Sequence, residues 1–292
     1  MPLQPVVIAA VRHGLGNQMF QYAMGRALAV RLGVPLKLHV TGRDHPTRPF
    51  ALNLLRVPIV EATGVEVRAL RPHASRLRRT LERFGLKGPG SAHVFTESHF
   101  YHFDFRVLAL EAPVYLDGFW QSARYFEALR PQLVEEFTPR EGLVGAAAAL
   151  RDRIAQLNAV CVHVRRGDYL TDETFRLLPA DYYERALAEI RARVAAPVPV
   201  VFSDDPEWTR ANLRLPDPVI WSFEHGRFAA IEEMQLMRAC KHFIIANSSF
   251  SFWPAWLSNH PQKQVVRATR WFRNPEWTSP DLRQRDWIML DA

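Results

Sequence analysis

Residues 6–11 form an unbroken apolar run, and residues 12–16 behind it are a glycine-containing loop. A short apolar run closed by turn residues predicts a buried strand. Phe20, Ala23, Met24, Ala27 and Leu28 then recur at helical spacing, and Gly33 is placed to cap that helix. Residues 35–40 read as a second strand, which gives a strand-loop-helix-strand opening typical of parallel α/β layers. Residues 41–60 carry no clear period. Residues 114–117 predict another strand, and 122–130 a short helix that Pro131 stops. The second half alternates more regularly. Strands are predicted at 159–164, 198–203, 218–222 and 242–246, with helices at 180–194, 206–213, 227–239 and 248–258. That rhythm is the mark of a doubly wound α/β layer. A boundary is expected within 139–145, which divides the chain into domains 1–143 and 144–292.

Composition sets limits on this picture. The chain has 292 residues, 48% of them hydrophobic and 23% charged, enough to bury a core in each half. Its two cysteines, Cys161 and Cys240, form no CxxC pair, so neither a zinc site nor a disulfide framework is indicated. The N-terminal apolar run is too short for a secretory signal, and no stretch approaches the ~20 apolar residues of a membrane span. A soluble, cytoplasmic protein is expected. The formal net charge of +7 suits a phosphorylated small molecule, an anionic membrane face or nucleic acid. Nucleic acid is not the expected partner, because the basic residues are not interleaved with aromatics in a recognisable module. Arg68, Arg71, Arg76, Arg78, Arg79, Arg83 and Lys87 cluster beside an apolar helical pattern of Leu70, Leu77, Leu81 and Phe84. That stretch is a solvated basic helix or a peripheral contact with an anionic membrane.

Chemistry is concentrated where predicted strands end, the edge at which open α/β sheets bind ligands. The strand at 159–164 runs into His163-Val164-Arg165-Arg166-Gly167-Asp168. Arginine stays charged and grips phosphate through a planar fork, whereas ion pairing with Asp168 alone would explain only one of the two. The strand at 198–203 ends in Asp204-Asp205-Pro206, where one acid could read a guanine edge or a ribose and the other cap the helix that Pro206 opens. The strand at 242–246 leads into Asn247-Ser248-Ser249-Phe250, hydroxyl residues at a helix start that favours anions. Together these describe a pocket for a nucleoside diphosphate. Near the N-terminus, Gly14-Leu15-Gly16-Asn17-Gln18 begins like a dinucleotide fingerprint, but Met19 replaces the third glycine. Its glycines are expected to let the backbone approach a ligand or another segment closely. His99, His102 and Asp104 offer a weaker metal alternative.

In order along the chain, four segments resemble the bacterial α-1,2-fucosyltransferase family. They are residues 14–23, the run Gly118-Phe119-Trp120-Gln121-Ser122 with Tyr125-Phe126, the run 163–169, and Asn247–Ser251 with Ala255-Trp256-Leu257. The resemblance implies a GT-B-like α/β fold, with two Rossmann-like domains facing across a cleft. It implies inverting transfer of L-fucose from GDP-fucose to the 2-hydroxyl of a terminal β-galactoside, which could be lipid-linked, with no metal required. By the same resemblance Arg165 contacts the β-phosphate, with His163 beside it, and Asp204 or Asp205 holds guanine. Ser248, Ser249 and Phe250 contact the diphosphate, Gly16 and Asn17 count among the donor-binding residues, and the acceptor lies near Asn17, Trp120 and Gln121. Asp168 and Glu173 stay open as candidates to take the acceptor proton, with Asp168 alternatively orienting an arginine, and the resemblance adds Asn17 to the catalytic candidates as a residue facing the reacting centre. The chain departs from the family at His13, where glycine is usual, and at Phe252 and Pro254, which replace a tryptophan and a small residue. It also lacks the usual His-Gly element before Asp181-Tyr182-Tyr183.

Overall fold

The computed structural model describes residues 4–71 and 93–292. The chain divides into two compact units, Met1–Thr138 and Pro139–Ala292. Both are parallel α/β sheets, the fold class expected. In the first unit, β1 (Val7–Val11), β2 (Leu36–Val40), β3 (Val94–Thr96) and β4 (Val114–Asp117) pair in parallel in the order β2-β1-β4-β3. β1 is buried throughout, which is why its sequence is a continuous apolar run instead of an alternating one. Helix α1 (Leu15–Leu32) links β1 to β2 and ends at Gly33, whose φ of 66° is the left-handed value glycine adopts freely. Helix α1 packs closely on the sheet at Gly25. A Cβ on Gly25 would lie 2.8 Å from a Leu36 methyl and 2.9 Å from the Ala9 Cβ, whereas one on Gly14 would meet open space.

A short helix, α2 (Gly64–Leu70), starts with a capping box between Thr63 and Glu66. Residues 72–87 of the basic stretch lie outside the described residues. The helix expected at 122–130 is instead a pair of 3₁₀ turns, Ala123–Tyr125 and Glu127–Leu129. Pro131 opens α3 (Arg130–Glu136) and does not end a helix, because the first turn has no use for its missing N–H.

The second unit begins with α4 (Gly145–Ala155). Its sheet holds β5 (Ala159–Val164), β6 (Val198–Ser203), β7 (Ile220–Trp221), β8 (His242–Ile245), β9 (Val265–Ala268) and β10 (Ile288–Leu290), all parallel, in the order β10-β9-β8-β5-β6-β7. The chain builds outward from β5 to one side through β6 and β7, then returns to build the other side from β8. β5 is therefore the topological switch point, where such sheets open a crevice. Val160, Val162 and Val164 join Tyr182, Tyr183, Leu187 and Ile190 of α5 (Ala180–Arg191) in one core. By the two-residue period of a strand, Cys161, His163 and then Arg165 take the other face. Helices α6 (Pro206–Asn212), α7 (Ala230–Arg238) and α8 (Ser249–Leu257) complete the layers. Among the described residues, no helix is long and apolar enough to cross a membrane.

Candidate active site

At the carboxyl end of β5, Arg165 is fixed between two acids. It donates to Asp168 Oδ1 at 2.6 Å and pairs with Asp204 Oδ2 at 2.9 Å. Its side chain keeps 29% exposure, so part of the guanidinium still faces outward. Arg166 turns the other way. Its backbone N–H donates to Asp204 Oδ1 at 2.8 Å, its Nε donates to Asp205 Oδ2 at 2.9 Å, and its guanidinium lies 3.7 Å from the Trp208 ring centroid. The two arginines therefore differ: Arg166 is braced against α6, and Arg165 is the one presented. Gly167 makes the arrangement possible. A Cβ there would lie 2.6 Å from Asp204 Oδ2.

Asp205 caps α6, accepting from Trp208 N–H at 3.2 Å while it holds Arg166. Asp204 binds Arg165 and the Arg166 amide. Both acids thus serve internal partners as well as any ligand. His163 is buried with no hydrogen-bond partner at Nδ1 among the described residues, and burial first, then the Arg165 charge, lowers its pKa to about 3. It is a neutral imidazole, 6.0 Å from the Phe250 ring. Asn247 ties the start of α8 to its surroundings, donating to the carbonyls of Arg176 and Trp271 at 2.7 and 2.8 Å. Ser248 is the N-cap, accepting from Phe250 N–H at 3.3 Å. Ser249 and Phe250 then expose the first turn, partly buried. Glu173 stands exposed in the following loop, with no hydrogen bond to the cluster.

Glu233 on α7 is an acid that the sequence reading missed. It is half-buried, its carboxylate accepts no hydrogen bond among the described residues, and its pKa is raised to about 7. Burial is the larger cause and the Asp204 charge adds to it, while Arg165 opposes. A signal was present: Glu233, Met237 and Cys240 follow at helical spacing, placing an acid in an apolar stripe.

Gly16 and Asn17 belong to the first unit, at the carboxyl edge of its own sheet. There the glutamines of the N-terminal motif tie loops together. Gln18 donates to the carbonyls of His13 and Pro49 and accepts from Ala51 N–H. Gln21 accepts from Arg12 N–H and donates to Gly118 carbonyl. Asn17 Oδ1 accepts from Gln121 Nε2 at 2.7 Å, which brings two of the predicted acceptor-side residues together. The weaker metal reading finds Asp104 held instead by Arg106 and Ser98. Among the described residues, no group of three or more His, Cys, Asp or Glu is placed to hold a metal.

A parallel sheet whose switch point presents an arginine and a helix N-terminus has the edge at which such sheets bind ligands. Comparison with known proteins supplies the class. Residues 95–291 match the model of glycosyl transferase family 11. The chain is 31% identical to an alpha-1,2-colitosyltransferase of Escherichia coli, over 98% of this chain and 99% of that protein. It is also 31% identical to the O-antigen biosynthesis glycosyltransferase WbnK of Escherichia coli, over 95% and 98%. A galactoside alpha-(1,2)-fucosyltransferase 1 of Sus scrofa is 29% identical over 83% of this chain and 63% of its own length. The chain belongs to glycosyl transferase family 11, and it is a glycosyltransferase.

Proposed function

We propose that this enzyme transfers L-fucose from GDP-fucose to the 2-hydroxyl of a terminal β-galactoside, with inversion and without a metal. In this reading residues 144–292 bind the donor and residues 1–143 the acceptor. The observation that carries it is Arg165, held at the switch point by Asp168 and Asp204 with a face left for a ligand. As the acceptor hydroxyl attacks the anomeric carbon, GDP leaves from the opposite face and charge grows on its β-phosphate. A fixed guanidinium and the amides at the start of α8 meet that charge without rearranging. Ser248, Ser249 and Phe250 supply that turn, and neutral His163 lies beside it. Asp168 orients Arg165. Guanine is read by Asp204 or Asp205, joined by Glu233, whose oxygens accept from no donor among the described residues. The proton acceptor is drawn from the carboxylates Glu173 and Asp168, and Asn17 faces the reacting centre. The acceptor could be a lipid-linked oligosaccharide at the inner face of a membrane, with the basic stretch 68–87 as the contact.

The test is GDP release by purified protein from GDP-fucose, with and without lactose, in excess EDTA. Lactose-stimulated release is expected, and the product linkage identifies the hydroxyl. Colitosyl transfer is the second reading, favoured by the colitosyltransferase match over nearly both full lengths. Running the two GDP-sugars in parallel separates them, since the preferred donor carries the higher kcat/KM.

A further inference from the structure

Gly118 to Ser122 is a loop under conformational stress. Trp120 has a φ of 56°, a left-handed value that costs a bulky residue free energy and persists only where its surroundings impose it. The imposing group is Glu97, one residue beyond β3. Its carboxylate accepts from Phe119 N–H at 2.6 Å and from Trp120 N–H at 3.1 Å, so both oxygens hold the backbone of one turn. Gly118 clears the way: a Cβ there would lie 2.6 Å from the Glu97 Cβ and 2.9 Å from Oε2. The turn that results presents Gln121 to Asn17. Gln121 is buried, and its Oε1 has no hydrogen-bond partner among the described residues. That oxygen is an acceptor for which none of the described residues supplies a donor, as a sugar hydroxyl would.

We propose that Glu97 is the positioning residue for the acceptor: acting through the amides of Phe119 and Trp120, it locks the loop that offers Gln121 and Asn17 to the acceptor's hydroxyls. This rests on the reading of the first unit as the acceptor side. The lock needs an ionised carboxylate, because a protonated oxygen would turn a donor toward an N–H. Burial raises the Glu97 pKa to about 7 against the opposing N–H bonds from Phe119 and Trp120, with Asp104 adding to the rise and Arg12 opposing it. The lock therefore closes as pH rises through neutrality and opens below it.

Two measurements test this separately. Amide exchange at Phe119 and Trp120, read without any substrate, reports the lock. Protection is expected above pH 7, lost in Glu97→Gln and in Gly118→Ala, whose methyl would displace the carboxylate. Unprotected amides in the wild type, or undiminished protection in both variants, overturn the proposal. Steady-state kinetics then report its use. Both variants should raise the galactoside KM about tenfold, with GDP affinity kept within about twofold, and should lose the wild-type fall in acceptor kcat/KM below neutral pH. Unchanged acceptor KM and an unchanged acid limb overturn the positioning role even if the amides are protected. A wild type inactive on every galactoside, with the amides still protected, overturns the acceptor reading and leaves the lock established.

Discussion

At the scale of single residues, the deviations from the family pattern have local physical meaning. His13 has a φ of 67°, the left-handed region where glycine is at ease, and it stands where the family usually has glycine. Its ring packs 5.2 Å from that of Phe119, a contact glycine would forgo. Relief of strain and loss of that contact act in opposite directions. His13→Gly should therefore shift stability by less than about 1 kcal/mol, whereas His13→Val, a β-branched residue at positive φ, should cost about 1–2 kcal/mol in chemical denaturation. Glu233 supports a second residue-scale prediction. Its pKa of about 7 in the free protein means it is about half ionised at neutral pH. Guanine N–H groups favour the ionised form, so GDP binding should release a proton near pH 7 and weaken up to about tenfold per unit as pH falls below it. Calorimetry across pH 5.5–8.5, in buffers of different ionisation enthalpy, reads both effects. Glu233→Gln should weaken binding at pH 8 and flatten the part of the profile that GDP's own phosphate does not explain; an unaltered profile would remove Glu233 from the site.

Among elements, the strand end after β5 has the most closely constrained geometry. If its charge acts in the transition state as proposed, Arg165→Ala should lower kcat by on the order of 10²–10³ with much smaller loss of stability. Gly167→Ala should act indirectly, pushing Asp204 away from Arg165 and the Arg166 amide and weakening GDP binding at least about tenfold, while Arg165 itself stays in place. Thermal melting with and without GDP distinguishes the two. Much of this edge was legible in the sequence, because an apolar strand followed at once by Arg165, Arg166 and Asp168 declares its own end. The central strands β1, β5, β6 and β8 were legible for the same reason. Elements that lean on others for definition were not. β3 and β10 have only three residues each, and β10 is half-exposed, so neither has a period to read. Pro131 misled because a proline marks the start of a helix as readily as its end. Glu97 carried no motif at all; its role exists only because the β3–β4 pairing brings it beside Gly118, a relation across chain that local spacing does not encode.

For the molecule as a whole, the governing fact is that each unit carries its own sheet and core. The first packs Val7, Met24, Leu28 and Leu116 together, and the second Val160, Val162, Tyr182 and Ile244. The groups named at the β5 switch point are anchored in the second core. GDP at a hundredfold excess over its Kd should stabilise the native state it binds by about 2.7 kcal/mol. Because the proposed donor residues Arg165, Asp204 and Ser248 all spring from the ends of β5, β6 and β8, that stabilisation should be concentrated there. Hydrogen exchange with saturating GDP should slow at the amides of 160–164, 198–203 and 242–245, and change far less at 7–11 and 114–117. Equal slowing in both sheets would mean the two cores unfold as one cooperative unit, so that donor binding is felt across the whole chain. Confined slowing would mean that donor affinity and the acceptor-side loops can be altered independently, in which case the Glu97 and Glu233 substitutions should combine additively in binding free energy.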